Sequence, residues 1–287
     1  MHGTQSKTAK AVKGVNAFDA RASLAAAAQR NAEMIGSLDP DQPVAGSDWT
    51  VGDTAAHLII ALRGFTNSAR GQYQEWYEWA DRIPNGRTPD RIETLNRAML
   101  AAEPRLRPDA TARAITAGAE AFLAATASLP AQQPVLTPWY GPNESLTVAE
   151  ATCLLLGEQV MHGYDVARAV GRKWPISQQD ALLIFEAGRQ MMPKIADPAA
   201  IGAVTAAYDL RLGRSARFIV RIADGRATIE DPAGQRVACH VLADPVAMLL
   251  LAYGRINQWN AIGRAKMITW GLKPWMAFRF ASFFSNP

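Results

Sequence analysis

Apolar residues recur at steps of three and four through roughly the first 170 positions and at steps of two through much of the remainder, so a helical part precedes a strand-rich one. An Ala-rich run from Phe18 to Leu38, carrying Leu24, Met34 and Ile35, predicts a first helix ending near Gly36 and Asp39-Pro40. Ser47-Asp48-Trp49-Thr50 opens a second, with Thr50 and Asp53 at cap positions. Val51, Ala55, Leu58, Leu62 and Phe65 share its inner face, and His57 lies at that face's edge. The aromatic, charged run YQEWYEWAD carries this helix on to a turn at Pro84-Asn85-Gly86. Residues Thr88 to Ser128 give one or two more helices, with a break at Pro104 or Pro108.

A Pro-rich connector then leads into the stretch from Ser145 to Arg172, SLTVAEATCLLLGEQVMHGYDVARAVGR. Thr147 and Glu150 have capping-box spacing, and Gly171 followed by Pro175 supplies the stop. The predicted helix has about six turns. Steps of three and four put Ala151, Leu155, Glu158, His162, Asp165 and Ala169 on its inward stripe. That stripe starts apolar and turns acidic and imidazole-bearing in its middle. A buried carboxylate needs a partner, and a metal ion beside Glu158 and His162 is the leading candidate.

Beyond Arg172 the pattern changes. A helix over Gln178–Met192 is followed by AAYDLRLG, ARFIVRIADG, RATIEDPAG and RVACHVLAD, which read as strands joined by antiparallel hairpins at Asp224-Gly225 and Pro232-Gly234. Asp244-Pro245 caps an apolar helix, AKMITWG gives a last strand, and KPWMAFRFASFF a terminal amphipathic helix. The fold class is α+β: a disordered tail over 1–16, a four-helix bundle over 17–173, and an α+β domain over 174–287 with an open, mostly antiparallel sheet.

Composition narrows the functional classes. At 287 residues the chain can bury a sizeable core, and its net charge of +4 comes without the dense basic run of nucleic-acid binders. Two cysteines, Cys153 and Cys239, lie in unlike contexts and do not suggest a disulfide framework. The N-terminus lacks a signal peptide's apolar core, and no stretch is long and apolar enough to span a membrane. The expected location is cytoplasmic.

Two ligands from one helix need a third from elsewhere if a catalytic position is to stay open. Of four histidines, His2 lies in the tail and His240 in a strand of the second domain, which leaves His57. A His57–Glu158–His162 metal triad is geometrically reasonable between two bundle helices, with Asp165 available to orient an imidazole. The plainer alternative is an ordinary i,i+4 hydrogen-bonded Glu158–His162 pair. Trp49 and Trp139 read as core residues, and Cys153 as a buried small apolar group.

The segments DWTVGDTAAHL and GEQVMHGYDVARAVGR resemble the two signature segments of the mycothiol-dependent maleylpyruvate isomerase family. The resemblance implies a DinB-like four-helix bundle holding a divalent metal, usually zinc, on His57, Glu158 and His162. Residues from about 203 to 285 resemble the sterol-carrier-protein-like domain that follows the bundle in many members. The likeness further implies mycothiol as thiol cosubstrate, and an active-site arginine for which Arg255, after PVAMLLLAYG, is the corresponding position. The expected activity is thiol addition to an electrophilic small molecule, as cis–trans isomerase or S-transferase. The alternative from another class is an apolar-ligand or lipid carrier working through the second domain, whose terminal helix carries Trp275, Met276, Phe278, Phe280, Phe283 and Phe284.

Overall fold

The computed structural model describes residues 17–44 and 46–285, and the expected tail over 1–16 lies outside them. They form two compact units, one within Asn16–Ala187 and the other within Gly188–Pro287.

The first unit begins with α1 (Ala17–Ile35), followed by α2 (Val51–Ala69), α3 (Gln74–Asp81), α4 (Thr88–Ala102) and α5 (Pro108–Ala125). A short antiparallel pair, β1 (Pro134–Leu136) and β2 (Ser145–Thr147), leads into α6 (Val148–Ala169). The capping boxes form as the sequence predicts. The Thr50 amide donates to Asp53 Oδ2 at 2.9 Å, and the Thr147 amide to Glu150 Oε2 at 2.8 Å. Helices α1 and α2 each pack on both α5 and α6, which makes a four-helix core. Leu24, Leu58, Leu62, Ile115, Phe122, Leu155 and Leu156 are fully buried there.

One local expectation is corrected, and two open ones are settled. The second helix does not run on through the aromatic stretch. It stops at Ala69, because the chain turns at Gly71 with φ +75°, and α3 restarts at Gln74. The region from Thr88, read as one or two helices with a break at Pro104 or Pro108, is two, since Pro104 interrupts pairing and Pro108 fits the first position of α5. The Pro-rich connector contributes β1, which pairs with β2 at the head of the stretch that follows.

Helix α7 (Gln178–Ile195) carries the division between the units, and α8 (Pro198–Ile201) follows. The second unit's strands are β3 (Ala206–Leu212), β4 (Ala216–Ala223), β5 (Arg226–Glu230), β6 (Cys239–Ala243) and, after α9 (Pro245–Ala252) and α10 (Gln258–Gly263), β7 (Met267–Trp270). The sheet order is β5-β4-β3-β6-β7. Its pairings are antiparallel except β3 with β6, which is parallel, so the α+β class holds with a mixed, mostly antiparallel open sheet. Asp224 and Gly225 both take positive φ, 51° and 70°, in the tight turn between β4 and β5.

The expected terminal helix forms over residues 274–283, with its first and last turns tightened. A 3₁₀ turn at Pro274–Met276 runs directly into α11 (Ala277–Phe280) and then into a second 3₁₀ turn at Ala281–Phe283, and the chain becomes extended only at Phe284. Tertiary contacts fix its apolar side. Phe280 packs on Tyr208 at 4.9 Å between ring centroids, and Phe283 is fully buried. The Phe283 carbonyl then accepts from the Asp197 amide at 2.8 Å, which ends helical pairing.

Candidate metal centre

Helix α2 supplies His57 from its second turn, and α6 supplies Glu158 and His162 from its middle. Glu158 and His162 are four residues apart, so they project from one helix face. His57 Nε2 lies 3.0 Å from Glu158 Oε2, and His162 Nε2 lies 3.2 Å from the same oxygen. One ligand atom from each residue falls within 4.8 Å of the other two. For metal bonds of 2.0–2.2 Å, tetrahedral ligands stand about 3.3–3.6 Å apart, so small side-chain adjustments would admit a divalent ion. Two imidazole nitrogens and a carboxylate oxygen are a donor set suited to zinc and to other first-row ions.

The site is enclosed without being sealed. His57 is 9% exposed, and Glu158 and His162 are half-buried. Burial opposes charge on Glu158, but the hydrogen bonds from His162 and His57 outweigh it and hold its carboxyl well below the usual carboxylate range. The ligand is therefore anionic at neutral pH. Trp49 closes one side: its ring centroid is 4.9 Å from that of His57 and 5.7 Å from that of His162, stacked on the latter. This corrects the reading of Trp49 as core. It precedes the Thr50 cap, so the segment entering α2 brings it beside the imidazoles. Trp139 is a core residue, edge-on to Phe65 and Trp76.

Close helix approach sets the position of His162. Its neighbour Gly163 faces Asn31 of α1 and Trp174, and a Cβ there would stand 2.6 Å from Asn31 Oδ1 and 2.2 Å from the indole. Fully buried Asn31 donates to the Gln159 carbonyl at 2.7 Å and to Gln159 Oε1 at 2.8 Å, tying α1 to α6 one turn from the site. Asp165, expected to orient an imidazole, is buried one turn farther along α6 and is not among the converging ligand atoms. The sequence held a cue to the Gly163 contact, since it and Gly157 are the only glycines within α6.

Arg255 stands in the second unit just after α9. Its guanidinium donates to the Tyr253 carbonyl and lies 5.9 Å from the Tyr253 ring centroid. Neither cysteine belongs to the metal group. Burial pushes the Cys153 thiol up to about 12 and also raises that of Cys239. A separate cavity of about 450 Å³, lined by Tyr77, Ile83, Asn85, Arg91 and Pro142 among others, contains none of the triad.

Residues 15–167 match the family model described as the mycothiol maleylpyruvate isomerase N-terminal domain. Among solved structures, the mycothiol-dependent maleylpyruvate isomerase aligns with a TM-score of 0.49 at 13% identity, covering 87% of this chain and 94% of that one. A histidine-to-alanine mutant of that isomerase aligns with a TM-score of 0.50 at 13% identity, covering 86% and 93%, and this likeness is one of fold. A sec-alkylsulfatase from Pseudomonas sp. aligns at 0.34 and 12% identity, with 82% of this chain against 32% of that one. No curated protein matches the sequence. No helix among the described residues is long and apolar enough to cross a membrane.

Proposed function

Because the chain belongs to the mycothiol maleylpyruvate isomerase N-terminal domain family, we propose that it is a metal-dependent enzyme that activates a low-molecular-weight thiol, mycothiol, for addition to an electrophilic small molecule. His57, Glu158 and His162 would hold the ion, zinc being the first candidate. One observation carries this reading: three ligand atoms from two helices, on residues 101 positions apart for His57 and Glu158, converge within 4.8 Å. A divalent cation there would supply a Lewis acid that favours the thiolate form of a thiol near neutral pH.

The chain's own groups support the reading in three ways. Glu158 offers a permanent negative charge, and its hydrogen bonds to both imidazoles preorganise the donor set. Trp49 shields one side of the imidazole pair from water. The two cysteines are buried thiols with raised pKa, so the nucleophile comes from a cosubstrate. Arg255 is the proposed partner of an anionic substrate group, where a guanidinium suits a carboxylate. A thiolate that adds to an activated double bond converts it to a single bond. Rotation and thiolate departure complete isomerisation, whereas protonation at carbon with the thiol retained gives S-transfer.

The apolar-carrier reading has less footing, since Tyr208 and Phe283 are fully buried and half-buried Phe280 packs on Tyr208, leaving Trp275 and Phe278 on the surface instead of lining an interior. Elemental analysis tests the proposal. Purified protein should carry about one divalent ion per chain, and His57→Ala and Glu158→Ala should each lose it while keeping their helical content. Wild-type protein that takes up no ion on reconstitution would sink the enzyme reading.

A further inference from the structure

The second unit contains a polar cluster that the metal centre does not use. Asp209 of β3 is fully buried, yet it gathers three cationic or basic side chains. Arg211 donates to its Oδ2 from Nε at 3.0 Å and Nη2 at 2.8 Å. Arg217 donates from Nε to Oδ1 at 2.8 Å and from Nη2 to Oδ2 at 3.1 Å. His240 Nδ1 lies 2.7 Å from Oδ2. Burial opposes the Asp209 charge, but the bonds from Arg217, Arg211 and His240 hold its carboxyl down at about 2. An ionised carboxylate only accepts, so His240 carries its proton on Nδ1 and turns Nε2 away.

The strand register gives this cluster a shape. Arg217, Arg211, Leu242 and Ile268 form one row across β4, β3, β6 and β7, and Ile219, Asp209, His240 and Trp270 form the next. Residues two apart on a strand share a face, so both rows lie on one side of the sheet. Arg211 and Arg217 are directly opposite, a like-charge pair that is unfavourable without a counter-ion between them. Asp209 neutralises one of the two, leaving one positive charge in excess. The hydrogen bonds of the two arginines use Nε and Nη2 and that of His240 uses Nδ1, and the Arg211 guanidinium also lies 5.3 Å from the Trp270 ring centroid. Beside them Ile268 is 57% and Trp270 38% exposed, with Leu242 half-buried between strands; His240 stacks on Trp270 at 5.1 Å. An organised cation pair thus adjoins an apolar strip that spans the neighbouring strands β6 and β7, about 5 Å apart.

The geometry points to a binding site on this sheet face for a small apolar carboxylate. Its head would accept hydrogen bonds from the Arg211 and Arg217 Nη1 groups, and its body would lie over Leu242, Ile268 and Trp270. The buried Asp209 fixes both guanidiniums in advance, which reduces the ordering cost of binding. The site requires neither the metal nor a thiol, so it stands or falls separately from the proposed activity.

Calorimetric titration of the full chain with octanoate tests it, with acetate presenting the head alone and octanamide the body alone. Octanoate should bind saturably at one per chain. Binding should weaken at least tenfold in Arg217→Gln and in Trp270→Ala, and Arg217→Lys should recover part of the loss. Acetate and octanamide should each bind at least tenfold more weakly than octanoate, and EDTA should leave the octanoate titration unchanged. Absence of saturation would overturn the proposal. So would binding that EDTA or His57→Ala abolishes while Arg217→Gln leaves it intact, which would place the carboxylate at the metal centre. Acetate binding as tightly as octanoate would refute the apolar half of the site.

Discussion

Gly163→Ala tests whether close packing of α1 against α6 determines where His162 sits. The added Cβ would stand 2.2 Å from Trp174 Cζ2, more than 1 Å short of an ordinary carbon–carbon contact. It would also meet Asn31 Oδ1 at 2.6 Å, and Asn31 is fully buried and committed to two hydrogen bonds with Gln159. Neither neighbour can yield without disturbing the α1–α6 contact. Overpacking of this kind costs about 1–3 kcal/mol, and a strained Asn31–Gln159 pair adds about 1 kcal/mol. Alanine's better helix propensity returns under about 1 kcal/mol. The expected loss is therefore about 2–3 kcal/mol, a fall of roughly 4–12 °C in the melting temperature of the helical unit. Urea unfolding followed by helical circular dichroism, in EDTA, isolates packing from any metal contribution. Gly188→Ala is the control: an added methyl there would meet no atom within 4 Å and the backbone φ is ordinary, so it should stabilise slightly. A Gly163→Ala protein within about 0.5 kcal/mol of wild type would refute the reasoning. In that case the ligand geometry must be set elsewhere.

Two further outcomes rest on the buried ionisable groups. Asp209 has a depressed folded-state carboxyl of about 2 against about 3.9 when unfolded, so its stabilisation is present above pH ~4 and fades as pH falls toward ~2. Stability of the second unit, followed by acid titration of near-ultraviolet circular dichroism, should therefore lose part of its slope in that window in Asp209→Asn; an unchanged slope would mean the carboxylate is not ionised in the folded state. Cys153 and Cys239 should resist a thiol-disulfide reagent at mildly alkaline pH in native protein and react fully in denaturant, because burial raises both thiols. Rapid native labelling of either would remove the argument for an external thiol.

Whether a feature was legible in the sequence depended on how local its geometry was. The Glu158–His162 pair could be read because four residues along a helix always return to one face, and both capping boxes because Thr-x-x-Asp and Thr-x-x-Glu close within a turn. With so few histidines, His57 followed by elimination once α2 and α6 were taken as neighbours. The end of α2 at Gly71 and the point where the terminal helix stops were not legible, since each depends on the chain's local path: a positive φ at one, the Asp197 amide at the Phe283 carbonyl at the other. The Asp209 cluster shows the same limit most clearly. Alternation put Asp209 and Arg211 on one face of β3, but His240 joins them only through the parallel β3–β6 pairing, between residues 31 positions apart. Hairpin patterning predicts antiparallel neighbours and therefore sets His240 aside as a lone strand residue. A single crossover connection turns it into the partner of a buried carboxylate. Strand order, which alternation does not specify, thus decides whether the second unit is only a folded support or carries a site of its own.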